Sequence, residues 1–177
     1  MKKKIEKKKV VKKTKKEETK FVLEVKKVSE GAFLPEYMFD TDVGLDLRAQ
    51  ETVSIHPLEQ QTVKTGIAVK IPEGHVGLIR DRVGIVSKMG VHTAAGTFDS
   101  AYTGEVSVVL VNLGEGQIEI EKGMRIAQLV IIPVRRVSVK EVSNLSVTQR
   151  GEKSFGSTGF KERFEELNKL SKEIKSK

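Results

Sequence analysis

The chain contains no cysteine. Disulfides, thiolate zinc sites and cysteine nucleophiles are thereby excluded, and a reducing, cytoplasmic compartment is the expectation. No run of about 18 apolar residues occurs, so no transmembrane helix is expected. The N-terminus lacks an apolar stretch leading to a small-residue cleavage site and does not read as a secretory signal. The three histidines, His56, His75 and His92, have no metal-ligand spacing and read as turn or surface residues. No Ser/His/Asp nucleophile arrangement can be argued.

Charge, too, is scarcer than the total suggests. The formal net charge is +8, but residues 1–20 alone hold 11 Lys against 3 Glu. Residues 21–177 hold 21 basic against 21 acidic residues and are neutral. The first 20 residues are self-repelling and poor in apolar groups, and are expected to be disordered. Their functional reading is a weak nucleic-acid arm. Their plainer reading is a solubilising tail.

What remains suits one domain with a real core. From 21 to 142 the chain reads as short strands: FVLEVKKV, GLDLRAQ, TVSIHP, TVKTGIAVKI, VGLIR, EVSVVLVNL, QIEIE, RIAQLVIIPV and VSVKEV. Each is rich in β-branched residues or alternates with period 2. Turn signals such as Ile71-Pro72-Glu73-Gly74 and Gly114-Glu115-Gly116 separate them. Many short strands at regular spacing predict an all-β sandwich, jelly roll or barrel. One short helix is expected near Arg82–Lys88. Residues 143–160 are polar and glycine-bearing and read as a mobile arm. Residues 161–177 continue from Phe160 with apolar groups at helical spacing, Phe164, Leu167, Leu170 and Ile174, and read as an amphipathic helix packing on protein rather than on a membrane.

Four clusters carry chemical interest. Asp99 lies in GTFDSAYTGE just before an apolar strand, where a carboxylate serves either as a general base or as a turn former. Arg82 and Lys88 flank the helical turn, and cations beside helix N–H groups favour phosphate. Arg125 and Gln128 lie in the strand RIAQLV; strict alternation puts Arg125 with Ala127 on one face and Ile126 with Gln128 on the other. Finally, RGEKSFGSTG joins Arg150, Phe155, Gly156, Ser157 and Thr158; glycines admit close backbone approach to phosphate, and hydroxyls add donors.

In this order, five segments resemble the motifs of the trimeric dUTPase family. They are VGLDLRA (Val43–Ala49), DRVGIVSKMG (Asp81–Gly90), GTFDSAYTGEV (Gly96–Val106), GMRIAQL (Gly123–Leu129) and RGEKSFGSTG (Arg150–Gly159). The resemblance implies a jelly-roll-like or distorted-barrel fold, and a homotrimer with sites between subunits. It implies hydrolysis of dUTP to dUMP and pyrophosphate, limiting uracil in DNA. Mg²⁺ would be held through the triphosphate rather than by protein ligands. Residue by residue, it implies that Asp99 activates the attacking water and that Tyr102 packs beneath the deoxyribose. Ala94, Gly96 and Phe98 belong to the hairpin that reads uracil. Arg82, Gly84 and Gln128 meet the phosphates, with Asp46, Lys88 and Arg125 in support. Phe155 stacks on the base while Arg150, Gly156, Ser157 and Thr158 close over the phosphates.

This chain departs from the family pattern at several places. Val83 stands where Ser is usual, and Thr103 follows Tyr102 where Arg is frequent. Lys153-Ser154 replaces Gly-Gly, and Val43 replaces Ala. These departures motivate a second reading, a dUTP-binding sensor with weak turnover. A third, a dCTP deaminase-like enzyme, rests on HTAAGTFD (His92–Asp99), but Val109 stands where that family places its proton-shuttling Glu.

Overall fold

The computed structural model describes residues 21–149, with residues 151, 165 and 167. Among them the chain forms β1 (Glu24–Lys27), β2 (Gly44–Arg48), β3 (Val53–Ile55), β4 (Gln60–Lys70), β5 (His75–Arg80), α1 (Val83–Met89), β6 (Val91–Thr93), β7 (Thr97–Asp99), β8 (Glu105–Asn112), β9 (Ile118–Ile120) and β10 (Arg125–Pro133). Alternating side chains explain how they assemble. In β8, Val106, Val108, Leu110 and Asn112 are buried while their neighbours are not. One face of a pleated strand thus packs inward.

Two four-stranded antiparallel sheets result, with orders β1-β4-β8-β6 and β2-β10-β5-β7, and a two-stranded ribbon β3-β9. Their apolar faces share one core that includes Leu47, Ile55, Val63, Ile67, Ile71, Leu110, Ile126 and Leu129. This is the all-β, jelly-roll-like class expected from the strand spacing. Asn112 occupies a core position at no penalty because its side chain is satisfied. Its amide donates to the Ile55 and Gly116 carbonyls, and its Oδ1 accepts the Gly114 N–H.

The helix falls one residue later than the expected span. Gly90, with φ 65°, closes it in the left-handed conformation and returns its N–H to the Val86 carbonyl at 3.0 Å. Two strands, β6 and β7, escaped the sequence reading. Conversely, VSVKEV (137–142) forms no strand: Val137 and Val139 are almost fully exposed, and no ladder involves them. β-branched composition makes a strand only where a partner edge receives it. The unit that holds the sheets ends at Arg136, and a second unit begins at Val137. In the second unit Glu165 and Leu167 are helical. The other residues on which the amphipathic helix was read, and residues 1–20, lie outside the described residues. No helix among the described residues is long and apolar enough to cross a membrane.

Candidate active site

The first polar cluster grows from β2. Asp46 is 2% exposed, a buried carboxylate on the edge strand β2 that must find partners. It has three. Arg82 Nε donates to Oδ1 at 2.9 Å, Gln128 Nε2 to Oδ1 at 3.3 Å, and Arg125 NH1 to Oδ2 at 3.4 Å. Arg82 also donates through NH1 to the Arg125 carbonyl at 3.3 Å. These two bonds leave guanidinium donors for a ligand, since arginine has five N–H groups.

Strict alternation would have put Arg125 and Gln128 on opposite faces of β10. The register instead shifts between Arg125 and Ala127, so that Arg125 faces Arg48 while Ala127 already faces Leu47. This bulge resets the alternation, buries both Ile126 and Ala127, and turns Arg125 and Gln128 to the same carboxylate. Gly44 makes room for the arrangement: a Cβ there would lie 3.0 Å from the Gln128 Cβ. Gly84 is exposed beside Arg82, and a Cβ there would meet nothing within 4 Å. Lys88 stands exposed in the last turn of α1, where a cation complements the helix dipole, outside the Asp46 cluster.

The second cluster is the connection between β6 and β7. These are edge strands of different sheets, so Ala94–Gly96 crosses from one sheet to the other. The Ala94 N–H donates to the Val109 carbonyl at 2.9 Å, and the Gly96 carbonyl accepts the Ile79 N–H at 2.8 Å. Gly96 has φ 148°, and a Cβ there would lie 2.3 Å from the Ile79 Cβ, so only glycine fits. The crossing frames a cavity of about 240 Å³ lined by Leu78, Ile79, Arg80 and Thr93–Thr97. Beyond it Asp99 ends β7, exposed. The Tyr102 N–H turns back to the Asp99 carbonyl at 3.0 Å. The Tyr102 hydroxyl donates to the Glu105 carbonyl at 3.0 Å, and its ring lies 5.6 Å from that of Phe98. The phenol is therefore fixed at its tip with its ring partly exposed.

Sequence reasoning missed Asp81. Its Oδ1 accepts the Thr93 N–H at 2.7 Å and the Thr93 hydroxyl at 2.8 Å, while His92 Nδ1 lies 3.2 Å from Oδ2. Burial by itself would push the Asp81 carboxyl up. The Thr93 and His92 hydrogen bonds outweigh it and hold the group below its ordinary 3.8. His92, read as a turn or surface residue, is thus a partner of the second motif. The only available signal was the acid immediately before Arg82.

Asp99 does not reach the Asp46 cluster within one chain. Gln128 and Asp46 lie in the row of Arg80, whereas Asp99 pairs with Val76, four residues back along β5 and two strands over from β10. Strand geometry converts this offset into roughly 16 Å between Gln128 and Asp99. Arg150, Phe155, Gly156, Ser157 and Thr158 lie outside the described residues.

These features define an all-β, jelly-roll-like protein with one polar cluster around Asp46 and another around the β6–β7 crossing and Asp99. The chain belongs to the dUTPase family, whose model matches residues 31–159. A deoxyuridine 5'-triphosphate nucleotidohydrolase of Clostridium tetani is 43% identical over 143 residues, covering 80% of this chain and 99% of the relative. One from a Hydrogenobaculum species is 48% identical over 140 residues, covering 77% and 97%. Among solved structures, a dUTPase of Staphylococcus bacteriophage 80alpha with dUpNHpp matches with TM-score 0.75 and 38% identity, covering 78% of this chain and 98% of that one. A dUTPase from phage phi11 of S. aureus, solved to show coordination of a structural Mg(II) ion, matches with TM-score 0.66 and 32% identity, covering 70% and 97%. The deaminase and sensor readings gain no support from these relatives, and the family match begins after the Lys-rich tail.

Proposed function

We propose that the chain hydrolyses dUTP to dUMP and pyrophosphate. The reading is carried by one observation: the family match spans both polar clusters and retains an exposed Asp99 beside an anchored Tyr102. In this reading Asp99 orients a water and takes its proton. The water oxygen attacks the α-phosphorus in line, the bond to the bridging oxygen breaks, and pyrophosphate leaves. The chain's work is positioning and charge stabilisation. Arg82 and Gln128 meet phosphate oxygens, held in place by Asp46 and supported by Arg125 and Lys88. The exposed Gly84 leaves a phosphate room to approach. The Ala94–Phe98 backbone reads the uracil edge in the cavity, and the Tyr102 ring lies under the deoxyribose, where a 2′-hydroxyl would clash. Arg150, Phe155, Gly156, Ser157 and Thr158 close the site and exclude water.

Mg²⁺, when bound, neutralises the triphosphate and holds it in one geometry. The residues present suit an ion carried by the substrate. Asp46 is already occupied by two guanidinium groups, and no cluster of three or more His, Asp or Glu among the described residues could cage a metal.

We also propose a homotrimer with sites between subunits. A span of roughly 16 Å separates Asp99 from Gln128 in one chain, too far to hold a single phosphate between them. A closed assembly brings one chain's Asp99 to another's Asp46 cluster. With no cysteine to oxidise, the chain suits the reducing cytoplasm. The test is pyrophosphate release from dUTP, dCTP, dTTP and UTP with Mg²⁺, alongside the mass of the particle in solution. Release from dUTP alone by a trimer supports the reading. Absence of release with tight dUTP binding revives the sensor.

A further inference from the structure

Asp81 has no part in the chemistry above, yet it grips the hairpin from an unusual position. It follows β5, in one sheet, and its carboxylate takes both donors of Thr93, the last residue of β6, in the other sheet. The Ala94–Gly96 crossing begins at Thr93 and ends beside β5, where the Ile79 N–H holds the Gly96 carbonyl. Asp81 is therefore a staple between the two edges that the crossing spans. Thr93 lines the 240 Å³ cavity itself. A backbone reader discriminates only if its N–H and C=O groups are held still, because slack lets a wrong base edge be accommodated.

We propose that Asp81 is a positioning residue for base selection, fixing the width of the uracil pocket by tethering Thr93. The inference rests on the dUTP reading above and on the hairpin as its base reader. Both Thr93 donors converge on a single oxygen, Oδ1, so the role requires an acceptor and not a charge. An Asn at this position keeps that oxygen. An Ala removes it.

The experiment measures kcat and KM for dUTP and dCTP with full-length Asp81→Ala, Asp81→Asn, Thr93→Val and Gly96→Ala. Asp81→Ala is expected to raise KM for dUTP about tenfold or more and to lower the dUTP-over-dCTP preference in kcat/KM by a similar factor. Asp81→Asn is expected to restore both. Thr93→Val, which loses one of the two bonds, is expected to fall between and reads the tether even if Asp81→Ala does not fold. A loss of kcat shared equally by both nucleotides, with KM and preference unchanged, would mean a merely structural role and overturn the proposal. So would an unchanged Thr93→Val. Gly96→Ala separates the levels. If it raises KM and the tether variants do not, only the staple fails; if it too changes nothing in an active enzyme, the hairpin is not the base reader. No dUTP turnover by the unsubstituted chain overturns the underlying reading and this one with it.

Discussion

Arg82 donates through Nε to the Asp46 carboxylate at 2.9 Å, and the two residues differ in burial: Asp46 is 2% exposed, while the Arg82 side chain is 23% exposed. The carboxylate is sunk in the sheet, and the guanidinium reaches from it toward solvent. Such a pair orients a cation without neutralising its outer donors. Removing the acid strands two arginines against a desolvated pocket. Asp46→Ala is expected to cost about 3 kcal/mol or more in urea unfolding. It should also raise KM for dUTP more than it lowers kcat, since it disorders phosphate contacts. Unchanged stability would show that water replaces the carboxylate freely.

Asp99 is expected to be indispensable for turnover and dispensable for binding. Its side chain is exposed at the end of β7, and the turn to Tyr102 uses its backbone carbonyl. Asp99→Asn therefore preserves the local structure while removing the base. Turnover should fall by about 100-fold to 10,000-fold, with dUTP affinity by calorimetry and particle mass retained. Residual activity above a tenth of normal would remove Asp99 as the base.

The parts of the fold that were legible in the sequence are those lying in alternating or β-branched runs. The eight residues of β8 and the eleven of β4 alternate or carry β-branched runs, and α1 is bracketed by its flanking residues. β3 and β9 are only three residues each but sit in the alternating runs TVSIHP and QIEIE, whereas the equally short β6 and β7 flank Ala94-Ala95-Gly96, where no period emerges. The site was legible only as separate motifs. The β10 bulge that unites Arg125 with Gln128 depends on pairing with β2, and the Asp81–Thr93 contact depends on two sheets meeting. Both are tertiary facts with no local signature.

Val83 offers a gain-of-function test. It opens α1, is 82% exposed, and the Arg82 side chain provides no cap for the helix. A hydroxyl at this position faces solvent and could donate to a phosphate oxygen beside Arg82. Val83→Ser is expected to raise kcat/KM for dUTP about tenfold, the value of one bond to a charged acceptor. Stability should change by less than about 0.5 kcal/mol, as for other surface sites. No gain would mean that another group already fills that role.

Asp81 also sets an acid limit. Its folded carboxyl lies below the ordinary 3.8, so its contribution to stability is complete above that value and is lost as pH falls through the lower, folded one. Asp81→Asn does not titrate. The stability difference between the two proteins in urea is expected to shrink as pH falls below about 4. Glu59, also held low by the His56 N–H and by Gln61, titrates in both proteins and cancels. A difference unchanged between neutrality and the acid limit would contradict the Asp81 contacts.

Gly104 bears on sugar selection. A Cβ there would lie 2.5 Å from the Tyr102 Oη and 2.7 Å from its Cζ. The backbone cannot yield cheaply, because Glu105 follows directly and begins β8. The partly exposed phenol can move, at the expense of its bond to the Glu105 carbonyl. Gly104→Ala is thus expected to displace the ring and leave the fold nearly unchanged, with a thermal midpoint shifted by only a few degrees. If that ring is the floor beneath the deoxyribose, lowering its fit relaxes the clash that rejects a 2′-hydroxyl. The ratio of kcat/KM for dUTP over UTP should then drop about tenfold, through a loss with dUTP and a gain with UTP. A ratio that stays constant while the ring moves, followed by Tyr102 fluorescence, would show that sugar selection resides elsewhere.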